Sequence, residues 1–90
     1  MSERFATGAT LTHESAKAAL SAGLAQISAG ASAVDCAALT QFDSSALAVL
    51  IAWQRAAQAR GITLSVLNLP AALASLARAY GVESLLHERH

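Results

Sequence analysis

Asp43, Ser44 and Ser45 stand directly before the longest uninterrupted apolar run of the sequence, Ala46–Trp53. Side-chain oxygens at such a position accept hydrogen bonds from the free backbone N–H groups of a helix's first turn. The same helix end carries a partial positive charge, so it tolerates a phosphate group on a nearby serine. A phosphoserine would also present nearly two negative charges to a partner and could expel it. The three residues fit either a structural cap or a partner-facing site, and the sequence leaves both interpretations open.

The other reactive side chains do not predict catalysis. A nucleophilic serine needs a neighbouring base and a group that orients the base, but His13 falls in a predicted strand and His87 and His90 fall in a polar tail. The tail histidines lack a third ligand, so no metal site is expected. Cys36 has no second cysteine to pair with and is expected to be a buried thiol. Without a glycine-rich phosphate loop, ATP hydrolysis is not expected. We predict a protein that is not an enzyme and uses no cofactor.

Composition narrows the function classes further. The 90 residues carry six basic and six acidic side chains, and 54% are hydrophobic, with alanine the commonest type. Such a chain is too apolar for disorder and lacks the basic excess of a nucleic-acid binder. The longest apolar run is too short to span a bilayer, and the start lacks the apolar stretch of a signal peptide. We expect one domain over residues 1–90, cytoplasmic and without direct membrane insertion, whose ends fray at about 1–4 and 87–90.

Hydrophobic periodicity and turn residues divide the chain into alternating strands and helices. Glycines at positions 30, 61 and 81 are placed to end the helices. Helices that alternate with strands predict a small α/β domain in which the helices pack on a sheet. The predicted strands are Ala9–His13, Ala33–Ala37 and Ile62–Leu67, the predicted helices are Ala16–Ser28, Ser44–Arg60 and Ala71–Tyr80, and Val82–Leu86 is a final strand or a turn.

The segment from Phe42 to Leu86 resembles the STAS domain, the family of bacterial anti-sigma-factor antagonists. Members carry Asp-Ser-Ser-Gly-Leu at the start of a helix, followed by a glycine and a strand. The residues that match are Asp43, Ser44, Ser45, Ala46 and Leu47, then Gly61 and the strand Ile62–Leu67, with Ala46 in place of the family's glycine. The resemblance implies an α/β fold, a small mixed β-sheet of about four strands with helices packed on it.

Within that family the chain is most similar to the small MlaB-type subunits of phospholipid ABC transporters, through Asn68-Leu69-Pro70, the stretch Leu76–Val82 and its short length. The resemblance implies a non-catalytic subunit that binds and stabilises or regulates the MlaF-like cytoplasmic ATPase of an MlaFEDB-like transporter. Such transporters maintain outer-membrane lipid asymmetry, so the protein would lie peripherally at the inner face of the inner membrane. The alternative is an anti-sigma-factor antagonist that binds an anti-sigma kinase and is switched by phosphorylation at Ser44.

The central helix offers a candidate partner surface. When the helix is projected at 100° per residue, Leu47 and Ile51 fall among the polar positions Gln54, Arg55 and Gln58. Either the fold covers these apolar side chains, or they form an exposed patch with a polar rim, as a docking surface requires. Trp53 lies on the other side and is expected in the core. The predicted partner-binding residues are Asp43, Ser44, Ser45, Leu47, Ile51, Gln54 and Arg55.

Overall fold

The computed structural model describes residues 4–89, in which strands and helices alternate. The strands are β1 (Arg4–Ala6), β2 (Thr10–Leu11), β3 (Ala33–Asp35), β4 (Gln41–Phe42), β5 (Ser65–Leu67) and β6 (His87–Arg89), the helices are α1 (Ala16–Ser28), α2 (Ser45–Ala59) and α3 (Ala71–Ala79), and a 3₁₀ helix spans Glu83–Leu85. Each predicted helix is present within one residue at either end. The strands are shorter than predicted, and the turn that was one option for Val82–Leu86 is the 3₁₀ helix.

The main sheet has the strand order β1-β3-β5-β6, and each neighbouring pair is parallel. Parallel neighbours need a crossover connection, and one helix lies in the chain between the members of each pair. Strands β2 and β4 form a second, smaller parallel pair. The predicted α/β fold class is confirmed. The expectation of a mixed sheet is wrong for residues 4–89, because a helix separates the members of every strand pair in this part of the chain.

Both ends of the described chain add edge strands that the sequence did not predict. Strand β1 pairs with β3, and the Phe5 ring meets the Trp53 ring edge-on with centroids 5.1 Å apart. Strand β6 pairs with β5, so the expectation of frayed ends is wrong at residues 87–89 and also at Arg4, which pairs with Ala33. Main-chain hydrogen bonds hold these edges, and such bonds leave no pattern in residue type. Residues 1–3 and 90, where fraying was also expected, lie outside the described residues.

Helix α2 ends in the glycine motif that the sequence predicted. Gly61 has a φ of 75°, a conformation that a residue with a Cβ rarely adopts. Its N–H donates to the carbonyl of Gln58, and the N–H of Ile62 donates to the carbonyl of Ala57, both at 2.9 Å. This pair of bonds is the Schellman motif, which satisfies the last free carbonyls of a helix. The same two bonds recur after α1 and α3, at Gly30 and Gly81.

Close packing between α1 and α2 fixes the helix layer on the sheet. Trp53 is 1% exposed, as predicted for a core residue, and its indole N–H donates to the carbonyl of Leu20 at 3.1 Å. Gly23 faces that ring so closely that a Cβ there would overlap it. Beneath the helices, Val34 and Val66 are register partners of the central strands and are fully buried. None of the helices in residues 4–89 has the length and apolarity needed to cross a membrane.

Candidate functional site

Asp43 organises the start of α2. Its Oδ1 accepts a hydrogen bond from the backbone N–H of Ser45 at 2.8 Å, and its Oδ2 accepts one from the backbone N–H of His13 at 3.1 Å. The His13 Nδ1 atom lies 3.2 Å from the same Oδ2. Hydrogen bonds from the backbone N–H of His13, then that of Ser45, lower the pKa of Asp43 to about 2. The carboxylate is therefore ionised at neutral pH and acts as the cap that the sequence predicted.

The parallel pairing of β2 with β4 brings His13 and Asp43 together. Leu11 and Phe42 are register partners, so the chain leaves both strands at the same edge of this pair. The turn after β2 is held by Ser15, whose Oγ accepts from the backbone N–H of Thr12 at 3.0 Å. The contact between His13 and Asp43 has no signature in the sequence, since the two residues are 30 positions apart and only the strand register relates them.

Ser44 is exposed and holds the N-cap position of α2, but its side chain makes no capping hydrogen bond there. Of the three candidate capping residues, Asp43 therefore supplies the cap, through the N–H of Ser45, and Ser44 does not. The next two N–H groups are also occupied: that of Ala46 donates to the carbonyl of Asp43 at 3.0 Å, and that of Leu47 to the carbonyl of Ser44 at 3.1 Å. A phosphate on Ser44 would meet an ionised carboxylate, with these three donors already taken.

An apolar groove lies beside the half-buried Ser45, between α1 and α2. Its volume is about 310 Å³. Its floor is aliphatic, and the exposed Lys17 stands at its border. Its lining residues are Ala16, Lys17, Leu20, Ser45, Ala48 and Val49. The sequence did not predict the groove, or Lys17 as a residue at its border, because the two walls of the groove come from helices that are separate in the chain.

A second, smaller cleft lies on the other side of the exposed part of α2. Ile51 is half-buried there, Arg55 is exposed, and Leu85 of the 3₁₀ helix is 46% exposed. These residues line a space of about 80 Å³ together with Gln54 and Gln58. Of the two predicted partner-binding residues here, Arg55 is exposed like Ser44, and Ile51 packs partly against the core. Leu85 was not predicted, because the turn that carries it has no helical or strand periodicity.

Two predicted partner-binding residues are part of the core. Leu47 is 3% exposed, so the expected apolar patch of Leu47 and Ile51 is not formed. Gln54, also 3% exposed, donates through Nε2 to the carbonyl of Leu64 and accepts through Oε1 from the N–H of Leu64, both at 2.8 Å. Although Gln54 lines the smaller cleft, both ends of its amide are engaged by the residue before β5 and are not available to a partner. The polar residue type suggested an exposed side chain at position 54, but this position of α2 faces the interior.

A separate polar cluster lies where β3 and β5 end. Asp35 accepts hydrogen bonds from the backbone N–H of Ala37 at 2.9 Å and from the Asn68 side chain at 3.0 Å. The Asn68 amide and the Ala37 N–H lower the pKa of Asp35, with a smaller contribution from Arg4. Asn68 has a φ of 57°, so this cluster fixes an unusual turn after β5. We interpret it as structural, since its polar groups satisfy one another.

Cys36 is fully buried, as predicted, and burial raises the pKa of its thiol to about 12. A thiol with that pKa is not a nucleophile at neutral pH. Within residues 4–89, no group of three or more His, Cys, Asp or Glu side chains is placed to hold a metal ion. Of the tail histidines, His90 and the side chain of His87 lie outside what the structure describes.

The architecture resembles that of one solved regulatory protein. The structure of the anti-sigma factor antagonist SpoIIAA in its unphosphorylated form matches this chain with a TM-score of 0.72 at 14% sequence identity. The match covers 100% of this chain and 84% of that chain. Parallel strands, three helices and this match define a STAS-type α/β fold.

Sequence comparison shows the family. The profile described as "Mlab, STAS domain" matches residues 7–87, and the chain therefore belongs to the MlaB-type STAS domain family. Members of STAS families typically act as regulatory and interaction domains. A search of curated proteins gave no significant match.

Proposed function

We propose that this protein is a non-catalytic subunit that binds the cytoplasmic ATPase of an MlaFEDB-like phospholipid ABC transporter through the start of α2. The observation that carries the proposal is the exposed Ser44, whose hydroxyl makes no capping bond and which directly precedes Ser45, a residue that lines the apolar groove. A docking surface needs apolar area with polar groups at its border, and this part of α2 supplies both. Membership in the MlaB-type family supports a transporter ATPase as the partner.

The protein would act by binding and not by chemistry. A subunit that binds the folded ATPase stabilises it by mass action. It changes ATPase activity only if it binds one conformation of the enzyme more tightly than another. In this proposal the protein is cytoplasmic and lies at the inner face of the inner membrane through the transporter, which maintains outer-membrane lipid asymmetry.

A second candidate is an anti-sigma-factor antagonist that binds an anti-sigma kinase and is switched by phosphorylation at Ser44. The exposure of Ser44 favours this candidate, because a kinase can reach its hydroxyl. The three first-turn donors are already occupied and Asp43 is ionised, so an added phosphate would be directed outward, towards a partner. Both candidates use the same surface and differ in the partner.

Affinity purification from the native host separates the two candidates. The tagged protein is recovered from detergent-solubilised membranes and from the soluble fraction, and the accompanying proteins are identified by mass spectrometry. The transporter proposal predicts the ATPase and permease of one ABC transporter in stoichiometric yield. Repeated recovery of an anti-sigma kinase without transporter subunits would overturn it. A Trp53→Ala variant, which cannot keep the α1–α2 packing, is the control for binding by unfolded chains.

A further inference from the structure

The exposed cations whose side chains the structure describes differ in their ion pairs and hydrogen bonds. Arg78 pairs with Glu83 at 3.5 Å, Arg60 donates to the carbonyl of Ser28 at 3.2 Å, and Arg4 pairs with Asp35 at 3.5 Å. Lys17 and Arg55 are exposed, and neither makes a polar contact with the side chains and backbone that the structure describes. Among the described carboxylates, Glu14, in the turn before α1, likewise makes no polar contact. The positions of Lys17 and Arg55 on the surface therefore call for an explanation.

Both free cations border the exposed side of α2. Lys17 lines the groove between α1 and α2, and Arg55 lines the cleft against the 3₁₀ helix. Eleven residues are close to three helical turns, so Arg55 lies on the same side of α2 as Ser44 and about 16 Å along the axis. Ala48 and Ile51 lie between them on that side. We call the surface made by Lys17, Ser44, Ala48, Ile51, Arg55 and Leu85 the α2 outer surface.

This surface combines apolar depressions with two cations, Lys17 and Arg55, that make no ion pair with the described side chains. The groove has an aliphatic floor, and the smaller cleft is bordered by Ile51 and the exposed Leu85. A partner that covers it must place apolar side chains in the depressions. It must also bring negative charge to Lys17 and Arg55, because a cation at an interface without a counter-charge loses its hydration without compensation.

We propose that the α2 outer surface binds an acidic amphipathic segment, with one carboxylate facing Lys17, a second facing Arg55, and apolar side chains between them. The inference rests on the proposed function, in which this segment belongs to the transporter ATPase. Ser44 belongs to the same surface, at the start of α2. Negative charge on Ser44 would add to that of the ionised Asp43 and repel the carboxylates of the acidic segment.

The test is the affinity of the purified protein for the purified ATPase, measured by calorimetry at several salt concentrations. Lys17→Glu and Arg55→Glu are each expected to weaken binding by at least about tenfold, and added salt is expected to weaken wild-type binding. Arg60→Glu is the matched control, since that cation is already engaged and is expected to leave the affinity unchanged. Lys17→Gln and Arg55→Gln, which remove charge without reversing it, should give smaller losses, and thermal melts verify that every variant is folded.

The outcomes separate the inference from the proposed function. Loss of affinity in both folded charge-reversal variants, with Arg60→Glu unaffected, supports the acidic segment. Wild-type affinity in either Lys17→Glu or Arg55→Glu, or binding that is insensitive to salt, overturns it while the ATPase remains the partner. Failure of the wild-type protein to bind the ATPase overturns both.

Discussion

The Asp43 carboxylate accepts a hydrogen bond at 3.1 Å from the backbone N–H of His13, a residue 30 positions earlier in the chain. The same carboxylate caps α2 through the N–H of Ser45. One side chain thus fixes the loop before α1 relative to the start of α2, and these two segments flank Ser44 and the groove. Because Asp43 does the capping, Ser44 is left at the surface without a structural hydrogen bond from its side chain.

Ser44 variants should separate binding from stability. We expect Ser44→Ala to leave the melting temperature within about 2 °C of wild type, because the hydroxyl makes no capping bond. Ser44→Glu should weaken partner binding by at least about tenfold at a similar melting temperature, since the added charge lies beside the ionised Asp43 and faces the partner. Thermal melts together with affinity measurements check both. Parallel loss of stability and binding would instead identify Ser44 as a structural residue.

Gln54 should behave as a core residue in spite of its polar type. Gln54→Met keeps the approximate shape but leaves the buried N–H and carbonyl of Leu64 without their side-chain partner. We expect a loss of about 2 kcal/mol or more in the free energy of unfolding, because each unsatisfied buried group costs about 1–3 kcal/mol. Urea denaturation measures this loss in the free energy of unfolding. The exposed Gln58, four residues later on α2, supplies the control: Gln58→Met should be nearly neutral, and equal effects would contradict the assigned hydrogen bonds.

Gly23 should not tolerate even one added methyl group. Glycine to alanine inside a helix ordinarily stabilises by up to about 1 kcal/mol. At this position the Cβ would overlap the buried Trp53 ring, and overpacking costs about 1–3 kcal/mol. Because this cost is larger than the gain in helix propensity, we expect Gly23→Ala to destabilise the protein. The measurement is the free energy of unfolding, followed by Trp53 fluorescence. Ser21→Ala, at an exposed position of the same helix, should be neutral or slightly stabilising; a stabilised Gly23→Ala would contradict the packing.

Acid should weaken the fold partly through Asp43. Its folded pKa of about 2 lies below the ordinary value of 3.8, so its contribution is fully present above pH 3.8 and is lost as the pH falls towards 2. Asp35, whose pKa is also lowered, acts in the same direction. Asp43→Asn should be less stable than wild type at neutral pH but should lose less stability between pH 4 and 2. Unfolding free energies across that range test this; parallel curves for the two proteins would show that Asp43 is not paired as described.

Local sequence signals predicted the helices well and the partner surface only in part. A glycine such as Gly61 marks a helix end because it can adopt the positive φ of the Schellman motif. This depends on a single residue, so it can be predicted from the sequence. Ser44 and Arg55 are exposed, as expected from the start of the helix and its polar positions, whereas Ile51 is half-buried against the core. Leu47 and Gln54 were misplaced, since Leu47 is part of the buried core and Gln54 pairs with the backbone of Leu64, on a side of α2 that helical projection alone marks as outward.

The strand register and the edge strands were beyond sequence reasoning for a different reason. The contact between His13 and Asp43 depends on the pairing of Leu11 with Phe42, and parallel pairing of short strands has no local signature. Strand β1 likewise depends on its main-chain bonds to β3 and on the edge-on contact between Phe5 and Trp53. The groove that Lys17 borders exists only once α1 packs on α2.

The most direct test of the account is the identity of the polypeptide that touches Ser44 in the cell. A photocrosslinking amino acid is placed at position 44 and, in a control protein, at the exposed Ser75 on α3, and the crosslinked products are identified from irradiated native cells. We predict that position 44 crosslinks to the ATPase subunit of an ABC transporter and that position 75 does so weakly or not at all. Crosslinking of position 44 to an anti-sigma kinase, or equal ATPase crosslinking from both positions, would contradict a transporter-binding site at the start of α2.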